Sequence, residues 1–501
     1  SGFVRIYHMT FIGGIDLKEN SILENVLYEF EKLAQIPRPS GHEKKVSDYI
    51  AERLKKLGLN VVQDQYNNII ADKKAAEGYE NVPRILLQGH MDMVCVADPN
   101  IEYNPLQDAI KIKNDGKYLT AEGTSLGADD GIGIASIIYL LTQNFIHGPL
   151  RIIFTVDEED GMTGARGLDK KYLQDIKYVI NCDSEDYDVV TVGSAGSVRL
   201  NFNKEAEYEA PQNNSACQII IKKLLGGHSG TEINQNRGNA IKTLAFFLQR
   251  LQDKAVDFAL ADIKGGVADN AIAPEAQAVI VADDADMAKI QTILDEVKAE
   301  FVEMHGHVEK NAEFILTTAD MPQQVLAAGS ANALIALLNI LHSGVFAMSP
   351  KAARLPELSA NIGRVCLENK KIKVSILARS ATNASLENLK NSYRVFAKVA
   401  GFAIEFAPTS PAWNGKPATD LVQLAAEVFK QQNNKEMKVE FIHGGLECNY
   451  FADKNPELII ISIGPNNIDI HTPQEKLQLD TIVPQVLLMQ EIMTRLAKGG
   501  K

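Results

Sequence analysis

At 501 residues the chain exceeds what one hydrophobic core usually serves, so two domains are expected. Its 45% apolar and 23% charged residues are those of a globular protein in water, and a net charge of −13 with no basic cluster argues against nucleic acid and anionic membranes as partners. The five cysteines (Cys95, Cys182, Cys217, Cys366, Cys448) are scattered and never spaced C-x-x-C, which argues against disulfides and a thiolate metal site and for a reducing, cytoplasmic setting.

The segment Ser1–His8 ahead of Met9 reads as an expression remnant, with no signal-like apolar core after it. Ile22, Leu23, Val26, Leu27, Phe30 and Leu33 recur at helical spacing, and Pro37 with Pro39 ends that helix. S-G-H-E at 40–43 reads as a capping box for a second helix, with an apolar stripe of Val46, Tyr49, Ile50 and Leu57 and Gly58 as its stop. Strands are expected near 61–63, 68–71 and 84–88. Beyond the last of these, His90 and Asp92 stand two residues apart, so in extended backbone both point to one side. An imidazole and a carboxylate so placed suit zinc, the one as ligand and the other fixing its ring. A lone H-x-D at a strand exit is more often a hydrogen-bonded His and a turn-forming Asp, so the reading depends on further ligands.

In 118–141, Gly127, Gly131 and Gly133 flank Asp129-Asp130 just before an apolar helix, whose run 132–141 is too short to cross a bilayer. One of the two acids would serve as a helix cap; glycines on either side suit a backbone folded closely around a compact group such as a metal. The apolar strand 151–156 ends in Asp157, Glu158, Glu159 and Asp160, acids that repel one another unless solvated or bound to cations. The strand 177–182 ends at Asp183. Open α/β sheets bind ligands at the carboxyl ends of their strands, so these acids and His90 point to one carboxylate-rich metal centre.

From about 197 the texture changes. Segments 216–224 (strand), 239–251 (helix), 256–263 and 276–282 (strands), 287–304 (helix) and 309–317 (strand) read as a split β-α-β-β-α-β unit of ferredoxin-like type. Segments 331–342, 358–366, 372–378, 386–399 and 403–406 read as a partial second unit. The lid would span 197–408, inserted into a catalytic domain made of 9–196 and 409–501. It carries His228 in L-G-G-H-S-G (225–230), outside regular elements and so presented to a ligand. The last segment returns to the first texture, with helix 418–431, strands 439–441 and 458–463, and a closing helix 483–496. An isolated His following a strand, His443 or His471, would supply the ligand the site still lacks.

The ordered set GHMD (89–92), LGADDG (126–131), DEEDG (157–161), NCDSE (181–185), GGHSG (226–230) and HTP (471–473) resembles the M20 family of dinuclear zinc peptidases. GTSLGADDGIGIAS (123–136), LLGGHSG, IHGGLEC (442–448) and SIGP (462–465) are similar to its aminoacyl-histidine (Xaa-His) dipeptidase branch over nearly the whole chain. The resemblance implies an α/β, mixed-sheet zinc-peptidase domain with an inserted α+β ferredoxin-like lid. His90 and Asp183 would bind one Zn²⁺, Glu159 and His471 the other, and Asp129 both; Co²⁺ or Mn²⁺ would substitute. Asp92 would orient His90, Glu158 would be the general base, and His228 would stabilise the oxyanion. Asn270, Arg379 and Gly445 would contact the substrate termini, Arg379 with a fork apt for a carboxylate.

The implied activity is hydrolysis of small dipeptides, preferring Xaa-His and extending to β-alanyl-histidine, with a homodimer left open. The alternatives are an N-acyl amino acid deacylase on the same metal set and a non-catalytic binding protein; Glu158 beside a full ligand set speaks against the second. One departure is Ile233-Asn234, where the family often carries Ile-His. Asp130, Asp157 and Asp160 are assigned supporting or solvated roles.

Overall fold

The computed structural model describes residues 17–350 and 352–499, so the readings of Ser1–His8 and Met9 lie outside the described residues. The chain divides into two compact units, Ser1–Val192 with Pro417–Val439 and Lys454–Lys501, and Gly193–Lys416 with Glu440–Asp453.

The sheet of the first unit runs in space as Asn60–Gln63, Ile69–Lys73, Leu150–Thr155, Arg84–His90, Ile176–Asn181, Ile459–Ser462 and Val189–Ser194. The four strands from Leu150–Thr155 to Ile459–Ser462 are mutually parallel. Their near-continuous apolar runs are what a strand buried on both faces requires. Register sets the strand ends level: His90 lies opposite Thr155, Gln88 opposite Asn181, and Ser462 opposite Asn181. Beneath that edge Asn181 Nδ2 donates to Gln88 Oε1 (2.5 Å) and Gln88 Nε2 to Thr155 Oγ1 (3.1 Å), a buried ladder that fixes the alignment.

Helix Leu17–Ala34 buries Val26, Phe30 and Leu33, and Phe30 lies against Gly131 in the apolar helix Ala128–Thr142. Helix Lys44–Lys56 ends as expected at Gly58 (φ +80°), but the expected capping box does not form. Glu43 is its N-cap and makes no side-chain cap bond. Ser40 Oγ instead donates to Asp92 Oδ2 (2.8 Å), and Glu43 Oε1 accepts from the N–H groups of Gly41 (2.8 Å) and Asp157 (2.9 Å). Both side chains of the would-be box are drawn toward the strand ends.

The second unit is built on an antiparallel sheet in the order Glu313–Thr318, Ser215–Lys222, Ala276–Ala282, Phe258–Gly265, Pro356–Glu368, Lys371–Ser380, Gly196–Glu205, Ala403–Phe406. The first four, numbered along their own segment, stand in the order 4-1-3-2, and helices Ala240–Asp253 and Met287–His305 complete a split β-α-β-β-α-β unit. The other four stand in the order 2-3-1-4, the same arrangement run backwards. The ferredoxin-like fold of the second unit is therefore doubled, with the second strand of each repeat meeting at Gly265 and Val365. Among the described residues no helix is long and apolar enough to cross a membrane.

Candidate metal centre

All five expected metal ligands lie in the first unit, brought together from five stretches of chain. His90, fully buried, ends its strand with Nε2 3.0 Å from Asp129 Oδ1 and 3.3 Å from Asp183 Oδ1. His471 sits in a left-handed turn (φ +61°) with Nε2 2.9 Å from the Glu159 carboxylate and 3.1 Å from Asp129 Oδ2. The two oxygens of Asp129 thus go one to each imidazole. Donor atoms of His90, Asp129 and Glu159 lie within 4.8 Å of one another, as do those of His90, Glu158 and Asp183, so either group can hold a metal ion. His443, the other isolated histidine, is not in this cluster.

One N–H satisfies one acceptor, yet each Nε2 faces two carboxylates. Burial pushes the Asp183 carboxyl up to about 8, and burial with the neighbouring Asp129 charge pushes Glu159 up to about 7. Asp129 is buried too, but hydrogen bonds from His471 and His90 hold it below the usual carboxylate range. Against its own burial, contact with Asp129 and Glu159 lifts His471 to about 11. Two dications would neutralise the carboxylates of Asp129, Glu158, Glu159 and Asp183. The residues fit a pair of divalent ions.

His228, Arg379, Asn270 and Gly445 belong to the second unit, as does His443. Arg379 Nη2 lies 3.3 Å from His228 Nε2, and a Cβ on Gly230 would meet His228 Cε1 (2.9 Å), the His443 carbonyl oxygen (3.0 Å) and Arg379 Nε (3.2 Å). Thr231 N and Thr231 Oγ1 each lie 3.3 Å from His228 Nδ1, so the ring is held between Thr231 on one side and Arg379 on the other. The guanidinium fork suits an anion. Arg379 Nε is buried without a hydrogen-bond partner, and burial with the Arg199 charge lowers its guanidinium only to about 10. His443 Nε2 meets Ser359 Oγ at 2.7 Å. Asn270 is exposed, and its carbonyl accepts the Ser229 N–H (2.9 Å), which pins it beside His228. Gly445 follows in the His443 loop. Asn234 is exposed and donates to the Arg354 carbonyl oxygen (2.6 Å).

Residues 86–495 match the model of peptidase family M20/M25/M40. The chain belongs to that family. This M20 peptidase is 34% identical to the cytosol non-specific dipeptidase of Escherichia coli (strain K12), across 93% of its own length and 96% of the relative's. It superposes on the crystal structure of aminoacylhistidine dipeptidase from Vibrio alginolyticus with a TM-score of 0.81 at 30% identity, covering 94% and 96% of the two chains. Aminopeptidase PepT from Bacillus cereus, at 18% identity and a TM-score of 0.54, shares the fold.

Several further residues frame the centre of this M20 peptidase, some singled out in the sequence and some not. Asp92, fully buried, was expected only to orient His90, and its Oδ1 is 3.3 Å from His90 Nδ1, poorly aligned for a hydrogen bond. It does more: Oδ1 accepts the Glu158 N–H (3.0 Å) and Oδ2 the Glu159 N–H (3.1 Å), so one carboxylate fixes the acidic turn as well. Arg38, buried between two prolines, donates to the carbonyl oxygens of Met91 (2.9 Å), Asp92 (2.8 Å) and Gly127 (2.5 Å), tying the His90 and Asp129 loops together. Glu475 accepts backbone N–H groups just before Asp129. Asp130 is buried rather than solvated, and its carboxyl fills space that a Cβ on Gly89 or Gly133 would need. That contact, more than turn geometry, is what those two glycines supply.

Proposed function

We propose that this M20 peptidase hydrolyses dipeptides in the cytoplasm with two divalent cations, Zn²⁺ by preference and Co²⁺ or Mn²⁺ as substitutes. The observation that carries the reading is the Asp129 carboxylate, which faces His90 and His471 with one oxygen each while Asp183 and Glu159 stand at the same two nitrogens. In this reading His90 and Asp183 would hold one cation, His471 and Glu159 the other, and Asp129 would serve both. Two cations there would polarise the scissile carbonyl and lower the pKa of a shared water.

The chain's own residues do the rest. Glu158, beside ligand Glu159 on the turn fixed by Asp92, takes the proton of the attacking water and returns it to the departing amine nitrogen. The Nε2–H of His228 is a donor to the developing oxyanion, and the Arg379 fork pairs with the substrate carboxylate, with Asn270 and Gly445 as further contacts at the termini. Two of the relatives named above, both dipeptidases, support a dipeptide substrate, and the Vibrio relative supports a preference for Xaa-His, with β-alanyl-histidine as an extension.

The test is a screen of metal-reconstituted protein against Xaa-His, other dipeptides, their C-terminal amides and N-acyl amino acids. Free dipeptides, Xaa-His foremost, should be turned over fastest. Faster release from N-acyl amino acids would make it a deacylase, and tight ligand binding without turnover a binding protein.

A further inference from the structure

We propose that Glu475 is a positioning residue for the metal centre, setting the place of Asp129 through the backbone it anchors; the inference rests on the two-cation reading. Its side chain belongs to a residue only 2% exposed. Oε2 accepts the N–H groups of Leu126 (2.7 Å) and Gly127 (2.9 Å), and Oε1 those of Ala128 (2.9 Å) and Asp129 (3.3 Å). Asn467 Nδ2 donates to Oε1 as well (3.1 Å). These N–H groups belong to the turn at the start of Ala128–Thr142, whose backbone is not helical at Asp129 (φ −80°, ψ 110°) and Asp130 (φ −104°, ψ 33°) before the regular helix begins, so an ordinary cap of that turn is the simpler role.

Three features go beyond a cap. The anchored N–H groups lead up to and include that of Asp129, whose carboxylate faces both imidazoles, so any slip of this backbone moves the shared ligand directly. The same loop is gripped from the opposite direction: Gly127 gives its N–H to Glu475 and its carbonyl oxygen to Arg38. Gly127 is left-handed (φ +71°), and a Cβ there would meet Arg38 Nη2 and Met93 Sδ at 2.6 Å, so the loop has no slack on that flank. Finally, Glu475 lies four residues past His471, whose Nε2 faces Asp129 and Glu159. One loop therefore delivers an imidazole to Asp129 and holds the Asp129 backbone, coupling two ligands of the same cation.

The wild type, Glu475→Gln and Asn467→Ala would be stripped of metal and titrated with Co²⁺ alone, reading stoichiometry, visible absorption and magnetic coupling between the ions, with the Tm of each metal-free protein alongside. Gln keeps the shape but turns an NH₂ toward backbone donors. Uptake of the second Co²⁺ by Glu475→Gln should weaken by about 10–100-fold, the range for groups supporting metal ligands, and the coupling should be lost. Asn467→Ala should shift both readouts the same way by less. A lowered metal-free Tm with wild-type affinities and spectrum would show a cap and nothing more, and would overturn the proposal. Should Glu475→Gln not fold, unchanged binding in Asn467→Ala would overturn it equally. A wild type that takes up no coupled pair of ions would instead bring down the two-cation reading, and the role of Glu475 with it.

Discussion

Glu158 and Glu159 are adjacent acids on one turn, and the proposed division between them is testable by single substitutions. Glu158→Gln should keep both metals and the fold while kcat falls by about 10²–10⁴-fold, the usual worth of a general base; metal analysis with steady-state kinetics checks this, and a near-normal kcat would move the base elsewhere in the acidic turn. Arg379→Ala should raise KM for free dipeptides and narrow their advantage over C-terminal amides, whereas His228→Ala should lower kcat by roughly 10²–10³-fold. Equal effects of Arg379→Ala on acids and amides would show that the carboxylate is held by another group. His443 gives a pH signature. Burial, and then the neighbouring Arg379 and His228, pull its imidazole from the ordinary 6.5 down to about 3, so it is neutral in the native protein. The unfolded chain then takes up more protons as pH falls below 6.5, and the associated stability, full above that pH, is lost progressively toward about 3. Between neutral pH and about pH 4.5 that loss is on the order of 2–3 kcal/mol. Urea unfolding of wild type and His443→Gln at both pH values should show a smaller loss in the variant; parallel losses would assign the acid limb to other groups.

At the scale of elements, what could be read from the sequence was whatever has a period or a terminus. Apolar runs ending in acids revealed the strands 84–90, 150–155 and 176–181, and because parallel strands in register end together, the motifs after them could be assigned to one edge. Signals without a period stayed silent. Arg38 and Glu475 are single charged residues in loops, and only the folded backbone reveals which carbonyls and N–H groups they meet. The capping box failed because Ser40 and Glu43 have the right spacing but bond to Asp92 and to the Asp157 N–H instead. The second ferredoxin-like repeat looked partial because its first strand, Gly196–Glu205, is separated from its first helix by the whole of the other repeat. The glycines around Asp129-Asp130 were legible as a demand for close approach, but not what approaches. Since Asp130 occupies the space beside Gly89, Gly89→Ala should force that carboxyl against the strand end that presents His90. Overpacking of this kind is worth about 1–3 kcal/mol. Thermal unfolding should show that loss together with weaker metal uptake; an alanine variant with wild-type stability and full metal content would mean that Asp130 has room to move.

Taken as a whole, the molecule separates its proposed chemistry by unit in a way that one reporter in each unit can follow. The metal donors come from the first unit alone, at residues 90, 129, 159, 183 and 471, so cations that bind the native arrangement and not the unfolded chain stabilise that unit by closing contacts between distant segments. With free metal at 100 times its Kd the gain is about 2.7 kcal/mol per site. The second unit has its own large core around Phe202, Phe247, Leu294 and Tyr393, and contains none of the proposed ligands. It also contains the chain's sole tryptophan, Trp413, 4% exposed. Indole fluorescence therefore reports the second unit, and hydrogen exchange in the Arg84–His90 strand reports the first. Chelation should lower the unfolding midpoint read from that strand by several degrees while the Trp413 midpoint moves much less, and restored Zn²⁺ or Co²⁺ should reverse the shift. If the two midpoints fall together, the units unfold as one cooperative body, and stabilisation gained at the metal donors is shared by the residues proposed to hold the substrate.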